Sequence, residues 1–178
     1  MTVLVAGVHG VGKSYLCQQY EAAFSAIHES ASELIRKERA LDHWSIDKKT
    51  SDIDVNQIAL TYAVKRICST GQSLLLDGHF VLIGEFADLI PISISTFENL
   101  SISGVVLIEA APSAISSRLS ARGLFESVVD IDHFAQAERA HARAVCDQLD
   151  ISLHILYEPS FDEFSRVVSM LFKSAQVG

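Results

Sequence analysis

The sequence predicts a three-layer α/β domain in which helices cover both faces of a mostly parallel sheet of about five strands. The apolar runs are continuous rather than alternating, as in strands that are buried on both faces. These runs alternate with helical patterns of about ten residues or more, which is typical of βαβ crossovers. The chain has 178 residues, of which 49% are hydrophobic, and this suffices for the core of one domain. We therefore expect a single domain over residues 1–178.

Five segments carry the strand pattern, and one of them is short. They are Thr2–Ala6, Ser73–Leu76, Gly104–Glu109, Ser152–Leu156 and the short Ser25–His28. Six segments carry a helical pattern. They are Lys13–Phe24, Ala31–Ala40, Val55–Ser69, Ser113–Ser120 (with Pro112 at its start), Asp130–Leu149 and Phe161–Phe172. The segment Phe80–Leu100 has no clear pattern. We predict it as irregular, although its residues 92–95 alternate like a strand.

Charge and composition exclude several classes of function. The net charge of −8 argues against an extended nucleic-acid surface. No apolar run approaches the roughly 18 residues that a membrane span needs, and the first residues lack a basic leader. The three cysteines are widely spaced and form no metal-binding pair, as expected of reduced thiols. We expect a cytoplasmic protein without a membrane contact.

The strongest motif is Gly7-Val8-His9-Gly10-Val11-Gly12-Lys13-Ser14, which satisfies the phosphate-loop pattern G-x-x-x-x-G-K-[ST] in full. It follows a predicted strand and precedes a predicted helix, so backbone N–H groups and the helix N-terminus can hold phosphates. Lys13 would add a positive charge, and Ser14 a hydroxyl ligand for Mg²⁺. The motif predicts binding of ATP with Mg²⁺. The residues expected to contact the nucleotide are Gly7, His9, Gly10, Val11, Gly12, Lys13, Ser14 and Tyr15.

A second acidic element follows another predicted strand. Asp77 ends the run Leu74-Leu75-Leu76-Asp77, and an aspartate there faces the phosphates from a neighbouring strand. We expect Asp77 to share Mg²⁺ with Ser14. The alternative is a plain Asp-Gly turn. His79 would orient the acceptor or a water, or it is an ordinary hydrogen-bonded histidine.

Three further blocks accompany the phosphate loop in order. They are Ser30-Ala31-Ser32-Glu33-Leu34-Ile35-Arg36, Asp77-Gly78-His79 and Arg118-Leu119-Ser120-Ala121-Arg122-Gly123. With these blocks, the chain resembles the adenylate-kinase-like branch of P-loop nucleoside monophosphate kinases. It is similar in particular to the small archaeal-type adenylate kinases and related kinase-like ATPases. The resemblance covers roughly residues 1 to 160.

The resemblance implies a role for each matched residue. Arg36 would bind the phosphate of the acceptor, in a helical region at about residues 30–70. Arg118 would contact the donor nucleotide, and Arg122 would close over the transferring phosphoryl group in a short lid at about residues 118–131. The catalytic set would then be Lys13, Asp77, His79, Arg118 and Arg122, with Arg36, Asp77 and His79 binding the acceptor. The alternative for Arg36 is a solvated, charged helix face.

Two functions follow from these patterns. The first is a phosphotransferase that moves the γ-phosphate of ATP to a nucleoside monophosphate or a similar small acceptor. The second is a nucleotide-gated ATPase module that regulates a protein partner. The run Phe80–Ile83 supports the second. It lacks the arginine that better-known adenylate kinases carry there, and it would form an apolar patch if exposed. Farther along the chain, Glu138 lies near an apolar helix face and is expected to pair with an arginine.

Overall fold

A five-stranded, fully parallel sheet forms the centre of the protein. The computed structural model describes residues 1–41, 52–84, 86–121, 123 and 130–175, with only the backbone at 52–54. Its strand order is β2-β3-β1-β6-β7. The strands are β1 (Thr2–Ala6), β2 (Ile27–Ser30), β3 (Leu74–Asp77), β6 (Ile102–Glu109) and β7 (Leu153–Tyr157). The predicted fold class is confirmed.

Helices cover both faces of this sheet, as the alternating pattern predicts. They are α1 (Lys13–Ala23), α2 (Ala31–Arg39), α3 (Asp52–Cys68), α4 (Ile94–Asn99), α5 (Pro112–Ala121), α6 (Ile131–Leu149) and α7 (Phe161–Ser174). The side chain of Asp130 caps α6 by accepting from the N–H of Asp132 at 2.9 Å. In the part of the chain that the structure describes, no helix is long and apolar enough to cross a membrane.

The core consists of two apolar layers that β1 separates. Val3 and Val5 point into a layer formed with α1 and α7. Leu4 and Ala6 point into a layer formed with α2, α3 and α6. Successive strand residues point to opposite faces, so a strand covered on both sides has to be apolar throughout. This is why β1 is a continuous apolar run.

The segment Phe80–Leu100 was predicted as irregular, and this prediction is wrong. It contains an antiparallel hairpin of β4 (Val81–Ile83) and β5 (Leu89–Pro91), followed by α4. The alternation over residues 92–95 indicated a strand, yet α4 begins at Ile94. The pattern misled because both elements are short, and only contacts with α6 and α3 decide their conformation.

The run Phe80–Ile83 is also less exposed than a partner-binding patch requires. Phe80 and Val81 are completely buried, and the ring of Phe80 stacks on Phe97 at 4.6 Å. Only Ile83, at the end of the run, is exposed. The apolar character of this run therefore reflects core packing.

Close packing between β6 and α7 yields a test of the fold. A Cβ on Gly104 would lie 2.6 Å from Cδ2 of the buried Leu171. We expect Gly104→Ala to lower the free energy of unfolding by about 1–3 kcal/mol, because the layer is already full. The neighbouring change Ser103→Ala, on the other face of the strand, should cost less than about 1 kcal/mol. Urea denaturation measures both, and equal losses would contradict the packing argument.

Candidate functional site

The predicted phosphate loop leaves β1 at a point where only glycine fits. Gly7 has a φ of +138°, and a Cβ there would lie 2.3 Å from the carbonyl oxygen of Ile108. Gly12 has a φ of +106° and immediately precedes α1. These conformations are readily adopted only without a Cβ. The loop therefore runs into the N-terminus of α1, whose free N–H groups favour an anion.

Lys13 is buried at the base of the loop, with only 6% of its surface exposed. Its Nζ donates to the carbonyl oxygens of Gly7 at 2.6 Å and Val8 at 3.2 Å. Burial lowers the pKa of Lys13, while the charges of Asp77 and Glu138 oppose that shift. The ammonium group is thus held within the loop, where it would attract a bound phosphate.

Asp77 lies at the carboxyl end of β3, beside the loop. Ser14 Oγ donates to Asp77 Oδ2 at 2.5 Å, and Lys13 Nζ lies 4.0 Å from Oδ1. Burial disfavours the charged form, but His28, Lys13 and Ser14 together hold the pKa of Asp77 below its usual value. A hydroxyl and an ionised carboxylate, side by side, are oxygen ligands of the kind that Mg²⁺ prefers. These two residues therefore fit the predicted metal site.

His28 is a neighbour of this pair that the sequence analysis did not find. It lies on β2, and its Nε2 is buried 3.9 Å from Asp77 Oδ2. The ring therefore lies near one carboxylate oxygen of Asp77, while Lys13 lies near the other. No local motif marks this residue, because the proximity arises only from the pairing of β2 with β3.

His9 and His79 meet at the mouth of the loop. Their ring centroids are 4.4 Å apart. Burial, then the charge of Lys13, lowers the pKa of His79 well below its ordinary value and also lowers that of His9. Both rings are therefore neutral near neutral pH. His79 Nδ1 points inward and lies 3.8 Å from Glu138 Oε1.

Arg118 reaches the loop from α5. Its Nη1 donates to the carbonyl oxygens of Gly10 at 3.2 Å and Val11 at 3.0 Å. A guanidinium group at this position lies beside the expected nucleotide phosphates. The second predicted lid arginine, Arg122, lies outside the described residues, as do residues 124–129 of the predicted lid. The roles of both arginines stay predictions.

One cavity of about 920 Å³ connects the loop with the predicted acceptor region. Lys13, Ser14, Asp77 and His79 line one end. The other end lies between α2, α3 and α4. Its lining residues include Arg36, Arg39, Asn56, Gln57, Leu60, Leu82, Thr96 and Phe97.

Two predicted site residues lie at the rim of this cavity. Arg36 has 71% of its side-chain surface exposed and pairs with Glu33 at 2.6 Å. Tyr15 lies at the rim of the loop end.

Among the residues that the structure describes, no arginine pairs with Glu138, contrary to the prediction. Its carboxylate is buried and accepts from the backbone N–H groups of Gly7, Phe80 and Val81. The pKa of Glu138 is raised by burial, against the effect of these donors and of Lys13. The helical pattern placed Glu138 correctly on the inner face of α6, but it could not identify backbone partners. Arg139 instead pairs with Glu109 through both carboxylate oxygens.

The parallel sheet and its connections give the chain a fold similar to that of P-loop kinases. The chain belongs to the family described as AAA domain, whose sequence profile matches residues 6–134. A comparison with curated proteins found no significant match.

Solved structures with a similar fold include two kinases. A shikimate kinase from Acinetobacter baumannii in complex with shikimate has a TM-score of 0.58 at 12% identity, covering 99% of this chain and 95% of that one. A sugar kinase from Janibacter sp. HTCC2649 has a TM-score of 0.57 at 15% identity, covering 97% and 94%. At such identities the likeness shows a shared fold.

The charge of Asp77 yields a prediction about pH. In the folded protein its pKa lies below its ordinary value of about 4. The ionised carboxylate therefore stabilises the fold above that value, and this contribution is lost as the pH falls through the folded-state pKa. We expect Asp77→Asn to lower the free energy of unfolding more at about pH 7 than at about pH 3. Urea unfolding at both pH values tests this, and a larger loss in acid would contradict it.

Proposed function

We propose that this protein is an ATP-dependent phosphotransferase that moves the γ-phosphoryl group of ATP to a small acceptor, a nucleoside monophosphate or a molecule of similar shape and charge. The observation that carries the proposal is the single cavity that joins the phosphate loop to a second, differently lined end. A protein that only hydrolyses ATP needs a place for water, whereas this cavity has room for a second molecule beside the nucleotide.

The charged groups at the loop end suit phosphoryl transfer. The transition state spreads negative charge over the equatorial oxygens of the moving group, and fixed cations stabilise it. Lys13 is held by the loop itself, and Arg118 lies beside it. Ser14 and Asp77 are the residues that would hold Mg²⁺, which neutralises phosphate charge when it is bound.

The acceptor end has a chemistry of its own. Leu60, Leu82 and Phe97 form apolar walls, and Thr96 and Gln57 place polar groups among them. Gln57 Oε1 is buried and has no hydrogen-bond partner within the described chain. Apolar walls with a few polar groups suit a ring that has apolar faces and polar edges, such as a nucleobase. Arg36 at the rim would bind an acceptor phosphate, as the resemblance to adenylate kinases implies.

The alternative function, an ATPase module that regulates a protein partner, loses one of its two supports. That support was an exposed apolar patch at Phe80–Ile83, and most of this run lies in the core. The other support, the absence of an arginine from this run, still stands. The phosphoryl-transfer assay described next distinguishes the two functions.

A phosphoryl-transfer assay tests the proposal directly. ATP–Mg²⁺ is supplied with a panel of nucleoside monophosphates, and ADP is compared with phosphorylated acceptor. We expect one acceptor to give equal amounts of both, far above the rate without acceptor. Lys13→Ala should lower turnover by about a hundredfold or more, since it removes a fixed charge from the transition state. Equal, slow release of free phosphate with every acceptor would instead support the ATPase module.

Arg36 yields a separate prediction about the acceptor. Arg36→Ala should raise the KM for the acceptor about tenfold or more, because a charged hydrogen bond to phosphate is lost. The Kd for ATP–Mg²⁺, measured by calorimetry, should stay within about twofold. Lys37→Ala is a matched control, since Lys37 is a cation on the same helix that pairs with Glu29 outside the cavity. An equal effect of both substitutions would show that Arg36 acts only through the charge of the helix.

A further inference from the structure

Glu138 is a buried carboxylate whose hydrogen bonds within the described residues go to the backbone of the candidate site. Its Oε1 accepts from Gly7 N–H at 3.2 Å and from Phe80 N–H at 2.9 Å. Its Oε2 accepts from Phe80 N–H at 3.0 Å and from Val81 N–H at 2.8 Å. A carboxylate that is 1% exposed is strongly disfavoured without partners, so these donors hold it firmly in one place.

The donors belong to two segments that diverge from neighbouring strands. The pairing of β1 with β3 ends at Val5 and Asp77, and one more bond follows, from Gly78 N–H to Val5 O at 3.0 Å. Beyond this point one segment forms the phosphate loop, and the other carries His79 and leads to β4. Glu138 bridges the two segments where the sheet no longer does. Its hydrogen bonds thereby take the place of the hydrogen bonds between β1 and β3, which end at Gly78.

Glu138 also lies close to His79, at the end of the cavity where the acceptor would meet the nucleotide. His79 lines the cavity, and its Nδ1 lies 3.8 Å from Glu138 Oε1. At the phosphate loop, the carbonyl oxygen of Ile108 leaves no room for a Cβ on Gly7. A shift of the Glu138 carboxylate would therefore move the entry of the phosphate loop and the segment behind His79 together.

Glu38 shows what a buried carboxylate with another role looks like. It is also 1% exposed, but it lies on α2 and pairs with Arg66 of α3 at 2.6 Å. It joins two helices and is not part of the cavity lining. Comparing Glu38 with Glu138 therefore distinguishes the effect of burying a carboxylate from the effect of its position at the candidate site.

We propose that Glu138 is a positioning residue for phosphoryl transfer, which sets the phosphate loop at its working distance from the segment that carries Asp77 and His79. The proposal rests on the proposed function for the reaction. Its geometric part, the bridge from Gly7 to Phe80 and Val81, is testable separately. In-line transfer is sensitive to shifts of about 1 Å between reacting groups, so the loss of this bridge should reduce the rate of the chemical step.

The test compares Glu138→Gln with the matched control Glu38→Gln. An amide keeps the size of the side chain, but its NH₂ group would face a backbone N–H in place of an acceptor oxygen. We expect Glu138→Gln to lower kcat by about tenfold to a hundredfold, with the Kd for ATP–Mg²⁺ changed less than about threefold. Glu38→Gln should keep kcat within about twofold, even where it lowers the urea midpoint as much.

Amide hydrogen exchange gives a readout that does not require turnover. Glu138→Gln should speed exchange at Gly7, Phe80 and Val81 by about tenfold or more, while Val106 in the centre of β6 stays protected. Similar kcat losses in the two variants at equal stability, or unchanged exchange at these three amides, would overturn the proposal. If the wild-type protein transfers no phosphate to any acceptor, the proposed function fails. The exchange rates at Gly7, Phe80 and Val81 then decide whether Glu138 holds the two segments together.

Discussion

The burial of three charged side chains at one edge of the sheet is the constraint on which the rest of the site depends. Lys13, Asp77 and Glu138 are each less than 10% exposed. Buried charges are unfavourable unless each has partners at close range. Lys13 is therefore bound by loop carbonyls, Asp77 by Ser14, and Glu138 by backbone N–H groups. These contacts hold the loop and the two strand ends in one arrangement.

This arrangement explains why the two ends of the cavity differ. At the loop end, the carboxyl ends of parallel strands bring polar groups from β1 and β3 together. At the other end, residues of α2, α3 and α4 line the cavity, and several of them also belong to the apolar layer that contains Leu4 and Ala6. The loop end offers charged groups that suit phosphates, and the other end combines apolar walls with a few polar side chains. A two-substrate reaction needs both regions within reach of each other.

Much of the fold was predictable because the sheet is buried on both faces. The central strands β1, β3 and β6 are mainly apolar runs of this kind. The sequence also indicated the outer strands β2 and β7 within about three residues of their observed ends, although β2 is only partly buried. The hairpin of β4 and β5 and the short α4 were not predictable. A strand of three residues carries too little periodicity to distinguish it from a loop, and its partners are supplied by the tertiary fold.

The sequence by itself determined the phosphate loop and its flanking strand and helix, because that chemistry resides in consecutive residues. It also indicated Asp77, since an acid directly after a buried strand faces the same edge as the loop. Only the tertiary structure decided that His28 backs Asp77 and that Glu138 binds Gly7 and Phe80. Glu138 lies 131, 58 and 57 residues away in sequence from its partners Gly7, Phe80 and Val81. A hydrogen bond to a backbone N–H leaves no mark on the partner's residue type, so no sequence pattern can reveal it.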